Sequence, residues 1–288
     1  MSLPSFQLAV AQIDPRLGDE EYNVRKHVEM IQRAKDGGAK LVVFPELSLS
    51  GYGIKDLHWD LALRAETSPR LQPLLAASKG IIVICGGVEE APGFGIFNSA
   101  FCFEDGTVRS VHRKIYPPTY GMFEELRYFS PGRSVEAFDS GVGRLGVLIC
   151  EDFWHLSLPY LLALDGAEIL IGIAASPTRL SPEEHELGIE MINSEHHRSF
   201  ARLLSTYVVF CNRVGYEDGV NFWGGSEVID PAGNIVAQAK PFEEELIFAT
   251  VELNNIRRAR RLSRHFHDED PSLVARELRR LLRDRRLR

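Results

Sequence analysis

Short apolar runs separated by glycines and polar turns recur along the chain and read as buried strands. They fall at residues 6–13, 41–44, 81–86, 96–103, 108–112, 169–174 and 207–211. Residues 23–34 instead place Val24, Val28, Ile31 and Ala34 on one face, which predicts a helix ended by Gly37-Gly38. Strand, helix and strand in that order imply a parallel pair joined by a helical crossover. Residues 57–78 read as helical with a break near Ser68-Pro69. Glu104-Asp105-Gly106 reads as a hairpin turn. Further helices are predicted at 183–204 and 272–286, the second with Leu278, Leu281 and Leu282 as an apolar stripe. Residues 227–230, 235–239 and 246–251 read as a meander turning at Pro231-Ala232-Gly233-Asn234.

One stretch organises the rest. Residues 143–155 read G-R-L-G-V-L-I-C-E-D-F-W-H, an apolar run that stops at Cys150 and turns at once into Glu151-Asp152. Asp152 is placed to cap a helix over 153–164. The segment 116–132 carries three prolines, two glycines and several aromatics, so it reads as a long irregular loop. Neither a repeat nor a low-complexity linker divides the chain. The pattern gives one layered α/β domain over residues 1–254 and a helical extension over 255–288.

Composition narrows this picture. The chain has 288 residues, 44% hydrophobic and 25% charged, an ordinary globular balance. The four cysteines are widely spaced, which argues against a disulfide framework or a zinc site and for reduced thiols in a cytoplasmic protein. No apolar run approaches the ~20 residues that span a bilayer, and the start of the chain lacks the pattern of a signal peptide. Net charge is −7, yet from Val251 onward the chain holds 12 of the 33 Lys and Arg and only 6 of the 40 Asp and Glu. The chain from Val251 onward is therefore +6 and the rest −13. An acidic body disfavours a general nucleic-acid surface, and a basic tail on it favours docking onto a subunit.

The chemistry gathers where strands end. Glu46 follows V-V-F-P, Lys114 follows V-H-R and Cys150 follows V-L-I. Strand ends on one edge of a layered sheet converge, and ligands bind there. Cys150 is either a small core residue or a nucleophile whose thiolate is favoured by a helix N-terminus and nearby amides. As a nucleophile it needs a base, which Glu46 can be if it does more than cap a turn, and an oxyanion site, which Lys114, otherwise a surface cation, would form with the N–H after Cys150. Arg179, after Ser176-Pro177, is placed to hold a carboxylate or to remain an exposed arginine. His196-His197 and His265-x-His267 lack the carboxylate or cysteine spacing of a metal site, and no phosphate-cradling loop is present.

Three blocks carry a resemblance. V-V-F-P-E-L-S-L-S-G-Y, H-R-K-I-Y-P-P-T-Y-G-M-F-E-E-L-R-Y-F and G-V-L-I-C-E-D-F-W-H resemble, in order and spacing, the signature blocks of the carbon–nitrogen hydrolase (nitrilase) superfamily. The resemblance runs from about residue 6 to 254. It implies a four-layer αββα sandwich, a catalytic set of Glu46, Lys114 and Cys150, and an assisting glutamate at Glu125, with Glu124 as the alternative. Within the superfamily, Y-G-M-F-E-E-L-R-Y-F, C-E-D-F-W-H, Ser50-Gly51-Tyr52 and Lys55-Asp56-Leu57 look most like the glutaminase domain of glutamine-dependent NAD synthetases. The ATP-dependent domain of those enzymes has no counterpart here.

The resemblance thus implies cleavage of a linear amide to acid and ammonia through a thioester, without metal or cofactor. Glutamine or another ω-amide is the expected substrate. The alternatives are an N-carbamoyl amine, an aliphatic amide or a nitrile, an ammonia-supplying subunit for a separate synthetase, and an interaction subunit that has kept the fold. Tyr120, Glu151, Ser176 and Arg179 are the expected substrate contacts, and a homo-oligomer of two or more chains is the expected assembly. No nucleic-acid or membrane partner is expected.

Overall fold

The computed structural model describes residues 5–178 and 188–283. β1 (Ser5–Gln12), α1 (Glu20–Asp36) and β2 (Ala39–Val43) form the expected unit, with β1 and β2 parallel. Asp19 caps α1 by accepting the Tyr22 N–H, and acidic residues fill its first turn and basic ones its last, as the helix dipole favours. Next come α2 (Gln72–Ala77), β3 (Ile82–Glu90), β4 (Ile96–Glu104) and β5 (Thr107–Arg113). Asp105 (φ 48°) and Gly106 (φ 82°) make the expected two-residue hairpin turn between β4 and β5, with both residues left-handed.

The second half supplies β6 (Phe138–Ser140), β7 (Gly143–Ile149), α3 (Ser157–Leu164), β8 (Ile169–Ala174), α4 (Gly188–Leu204) and β9 (Tyr207–Asn212). After these come β10 (Val214–Glu217), β11 (Val220–Trp223), β12 (Glu227–Ile229), β13 (Ile235–Gln238) and β14 (Glu245–Glu252). The described chain closes with α5 (Leu253–Leu262) and α6 (Pro271–Arg283). No helix among the described residues is long and apolar enough to cross a membrane.

One six-stranded sheet runs β14-β1-β2-β3-β4-β5 and the other β13-β12-β9-β8-β7-β6. Along β1, Leu8 and Val10 face the second sheet, where they meet Val147, Ile171 and Val209. Ala9 and Ala11 point the other way, onto Val24, Ile31 and Ala34 of α1. On the far side, Leu148 and Leu170 pack against Leu158 and Leu162 of α3 and Phe200 of α4. Both faces of each sheet are thus covered, which is why the strands read as continuous apolar runs. The layers are α, β, β, α, a four-layer sandwich. β4 and β5 reverse direction twice, so β5 ends on the same edge as β2 and brings Lys114 toward Glu46.

The structure departs from the sequence pattern at several places. Residues 57–78 do not form a broken helix: 3-10 turns at Lys55–His58 and Pro69–Leu71 precede the short α2. Leu63 spends its backbone on β3 instead, donating to Val88 O (2.9 Å) and accepting from the Glu90 N–H (3.0 Å). The meander is split. β12 and β13 pair in the second sheet, while β14 crosses to the first and lies antiparallel to β1. The β10–β11 hairpin and α5 were not foreseen. Residues 179–187 and 284–286, which fall within expected helices or hold Arg179, lie outside the described residues.

Candidate active site

Glu46 leaves β2 through Phe44-Pro45, and β3 presses against that turn. A Cβ on Gly86 would lie 2.3 Å from Leu47 N and 2.7 Å from Glu46 Cα, so only glycine lets the strands approach this closely. Gly86 donates to Pro45 O and accepts from the Leu49 N–H, which fixes the turn. The Glu46 carboxylate is fully buried. Its Oε1 accepts from Lys114 Nζ (2.7 Å) and Asn98 Nδ2 (2.7 Å), and its Oε2 accepts the Ala175 N–H (2.8 Å). A buried carboxylate is tolerated only with such partners.

Lys114 stands one residue beyond β5 and is buried as deeply. Its ammonium bridges Glu46 and Glu125, donating to Glu125 Oε1 at 2.6 Å. Tyr52 donates its hydroxyl to the same Glu125 oxygen (2.7 Å), and Asn98 Nδ2 lies 3.4 Å from the other. Glu125, and not Glu124, is therefore the glutamate drawn into the cluster. Burial alone would pull the Lys114 ammonium down, but the Glu125 and Glu46 carboxylates outweigh it and raise its pKa well above the usual lysine value. Burial pushes the Glu125 carboxyl up to about 7, against the pull of Lys114 and with the Glu46 charge adding to the rise.

Cys150 opens a 3-10 turn directly after β7 and adopts φ +48°. A non-glycine residue held there stores about 1–3 kcal/mol of strain. The residue is partly exposed, yet its thiol sits among the charges of Glu46, Lys114 and Glu125. The surroundings oppose the expected thiolate. Burial is the largest influence on the thiol and raises its pKa, Glu46 raises it further, and Lys114 alone opposes. Two carboxylates against one ammonium leave no net positive field to hold a resting thiolate. The Asp152 cap is overturned. α3 begins at Ser157 without a side-chain cap, and the Asp152 carboxylate turns back to accept the Ile115 and Tyr116 N–H groups.

The outer residues divide. Tyr120, half exposed, donates its hydroxyl to Glu151 Oε2 (2.8 Å), so the long loop and the residue after Cys150 meet at the rim. Ser176 follows the Ala175 amide that binds Glu46, and its Oγ accepts the Trp223 indole N–H (3.2 Å). Arg179 lies outside the described residues. His155 stacks on Tyr116, with ring centroids 3.4 Å apart. Asn98, Tyr52 and the Ala175 amide were missed by sequence reasoning. Asn98 alone left a signal, an amide within a mostly apolar strand.

Known proteins share this architecture. The Carbon-nitrogen hydrolase family matches residues 7–261 of the chain. The chain belongs to that family. It is 34% identical over 253 residues to the glutamine-dependent NAD(+) synthetase of Thermotoga maritima, covering 86% of this chain but 42% of that protein. The solved glutamine-dependent NAD+ synthetase of Acinetobacter baumannii superposes with a TM-score of 0.78 at 32% identity, over 88% of this chain and 47% of that one. A carbon-nitrogen hydrolase from Helicobacter pylori superposes with a TM-score of 0.83 at 25% identity, over 96% and 99% of the two chains. The chain thus spans less than half the length of these NAD+ synthetases, and nearly the whole of the smaller carbon–nitrogen hydrolase.

Proposed function

We propose that the chain is a cysteine-dependent amidohydrolase that converts glutamine, or a similar ω-amide, to acid and ammonia. The observation that carries this is the Lys114 ammonium held between the Glu46 and Glu125 carboxylates beside the Cys150 thiol. Cys150 Sγ attacks the amide carbon while Glu46 takes the thiol proton. Lys114 and the Glu151 N–H hold the oxyanion. The C–N bond breaks as Glu46 returns the proton to the leaving nitrogen, and ammonia departs from the thioester. Water, deprotonated by Glu46 and oriented by Glu125, then releases the acid and restores the thiol. A thiol that stays protonated at rest suits a neighbouring carboxylate base. The glutamine dependence in the names of the relatives supports glutamine as substrate, and a synthetase that takes up the ammonia is the partner this reading implies. Ammonia release across glutamine, aliphatic amides, nitriles and N-carbamoyl amines tests it. Glutamine should lead by at least tenfold in kcat/KM (about 1.4 kcal/mol). Preference for an N-carbamoyl amine or a nitrile would overturn the substrate.

Protonation of Glu125 removes one charge and one acceptor from the Lys114 cradle. With its carboxyl at about 7, activity should fall as pH drops through that value. Glu125→Gln should lower kcat and erase this limb of the kcat/KM profile. An inflection near the same pH that survives in the variant would assign it to another group.

The tail proposal also takes a definite form. α5 buries Leu253 and Ile256 in the core between the sheets, whereas α6 buries none of its side chains in this chain. Leu273, Leu278 and Leu282 of α6 stay 45–67% exposed. We infer that α6 packs onto another copy, since a short helix needs tertiary partners to persist. Deleting residues 271–288 should lower the mass read by light scattering and leave ammonia release per chain within about twofold. An unchanged mass would mean that the tail is a free basic arm.

A further inference from the structure

Asp152 takes no part in the bond-making steps above, yet its side chain is fully buried and both its oxygens are doubly engaged. Oδ1 accepts the Ile115 and Tyr116 N–H groups, each at 3.0 Å. Oδ2 accepts the Ile149 N–H (3.2 Å) and meets His112 Nε2 (3.2 Å). Ile115 and Tyr116 follow Lys114 directly, and Ile149 directly precedes Cys150. These two segments leave different sheets, β5 from one and β7 from the other.

We propose that Asp152 is a positioning residue that fixes the Lys114 ammonium relative to the Cys150 thiol, and that His112 holds Asp152 in the orientation that does so. The proposal rests on the reading of Cys150 as nucleophile and Lys114 as oxyanion donor. The facing strands of the two sheets pack through apolar side chains, which set a spacing but no direction, and directional bonds such as that of Glu46 with the Ala175 N–H cross at the strand ends. A carboxylate accepting three backbone N–H groups and one imidazole is directional, and its charge strengthens each bond. The Ile149 bond also anchors the backbone just before Cys150, whose φ lies in the left-handed region.

Two substitutions separate positioning from simple support. In Asp152→Asn the amide keeps one acceptor, but its NH2 then faces either the Ile149 N–H or the Ile115 and Tyr116 N–H groups, donor against donor. His112→Ala is the gentler change, because His112 borders a cavity of about 490 Å³ that it shares with Arg113, Ser130 and Arg133, and its loss opens no void in the apolar core. In the 288-residue chain, melting temperature, kcat and KM for glutamine, and the rate of Cys150 alkylation by iodoacetamide are measured for both variants. The expected result is a kcat lower by about 10²-fold in Asp152→Asn and about tenfold in His112→Ala, with KM within about twofold. Alkylation should slow several-fold in both, because Lys114 no longer sits where it assists thiol ionisation. A lowered melting temperature with wild-type kcat and wild-type alkylation would overturn the proposal, since mere support moves stability alone. Should the wild type release no ammonia from any amide, the functional reading fails, and the alkylation rates still decide the role of Asp152.

Discussion

Cys150→Ala is expected to abolish ammonia release, by on the order of 10⁴-fold or more, while the variant melts close to the wild type. The residue packs at the edge of the core, and the change to alanine removes a single sulfur atom, so its loss leaves no large cavity. Cys150→Ser should be nearly as inactive, since a serine hydroxyl ionises far less readily than a thiol and Glu46 alone must then deprotonate it. Iodoacetamide should modify Cys150 before Cys85, Cys102 and Cys211, which are buried within strands while Cys150 is partly exposed beside the Lys114 ammonium. Full activity in Cys150→Ala, or faster labelling of a strand cysteine, would remove Cys150 from the chemistry.

Lys114→Ala is expected to cost 10²- to 10³-fold in kcat, about the cost of one oxyanion donor. It also leaves Glu46 and Glu125 facing each other without a cation. Breaking a buried pair in this way costs about 3–5 kcal/mol of stability. The two effects separate in a double variant. Lys114→Ala with Glu125→Gln removes one of the stranded carboxylates, so stability should largely return while the rate does not. Lys114→Arg should fail as well, because a planar guanidinium does not fit between two carboxylates spaced for a compact ammonium. Recovery of the rate in the double variant would mean that Lys114 serves only to neutralise its neighbours.

The parts of this site that were legible in the sequence share one property. Glu46 and Cys150 each follow an apolar run and Lys114 follows an alternating strand, so local pattern places all three at strand ends, and the parallel topology brings those ends together. What binds them was not legible. Asn98 reaches Glu46 across 52 residues, and Asp152 reaches the Ile115 and Tyr116 amides across 37 and 36. Such bonds depend on how two sheets face each other, which no local spacing encodes. Asp152 was misjudged because an acid just before an apolar stretch has the signature of a helix cap, and here a tertiary demand outbid the local one. The influences that oppose a Cys150 thiolate were hidden for a related reason. A helix N-terminus favours a thiolate, but burial raises the thiol pKa and the Glu46 charge adds to the rise. The β10–β11 hairpin did carry a turn signal in Asp218-Gly219, both left-handed, but its flanking strands are short and half polar. α5 was hidden by its arginines, with only Leu253 and Ile256 marking the buried side.

The central claim is a covalent acyl–enzyme on Cys150, and rapid acid quenching during turnover of glutamine, followed by peptide mass spectrometry, reads it directly. The expected result is a Cys150 peptide heavier by the mass of glutamine less ammonia, with the adduct lost on adding hydroxylamine and absent from Cys150→Ala. Continued turnover with the acyl group on another residue, or after complete alkylation of Cys150, would contradict the account.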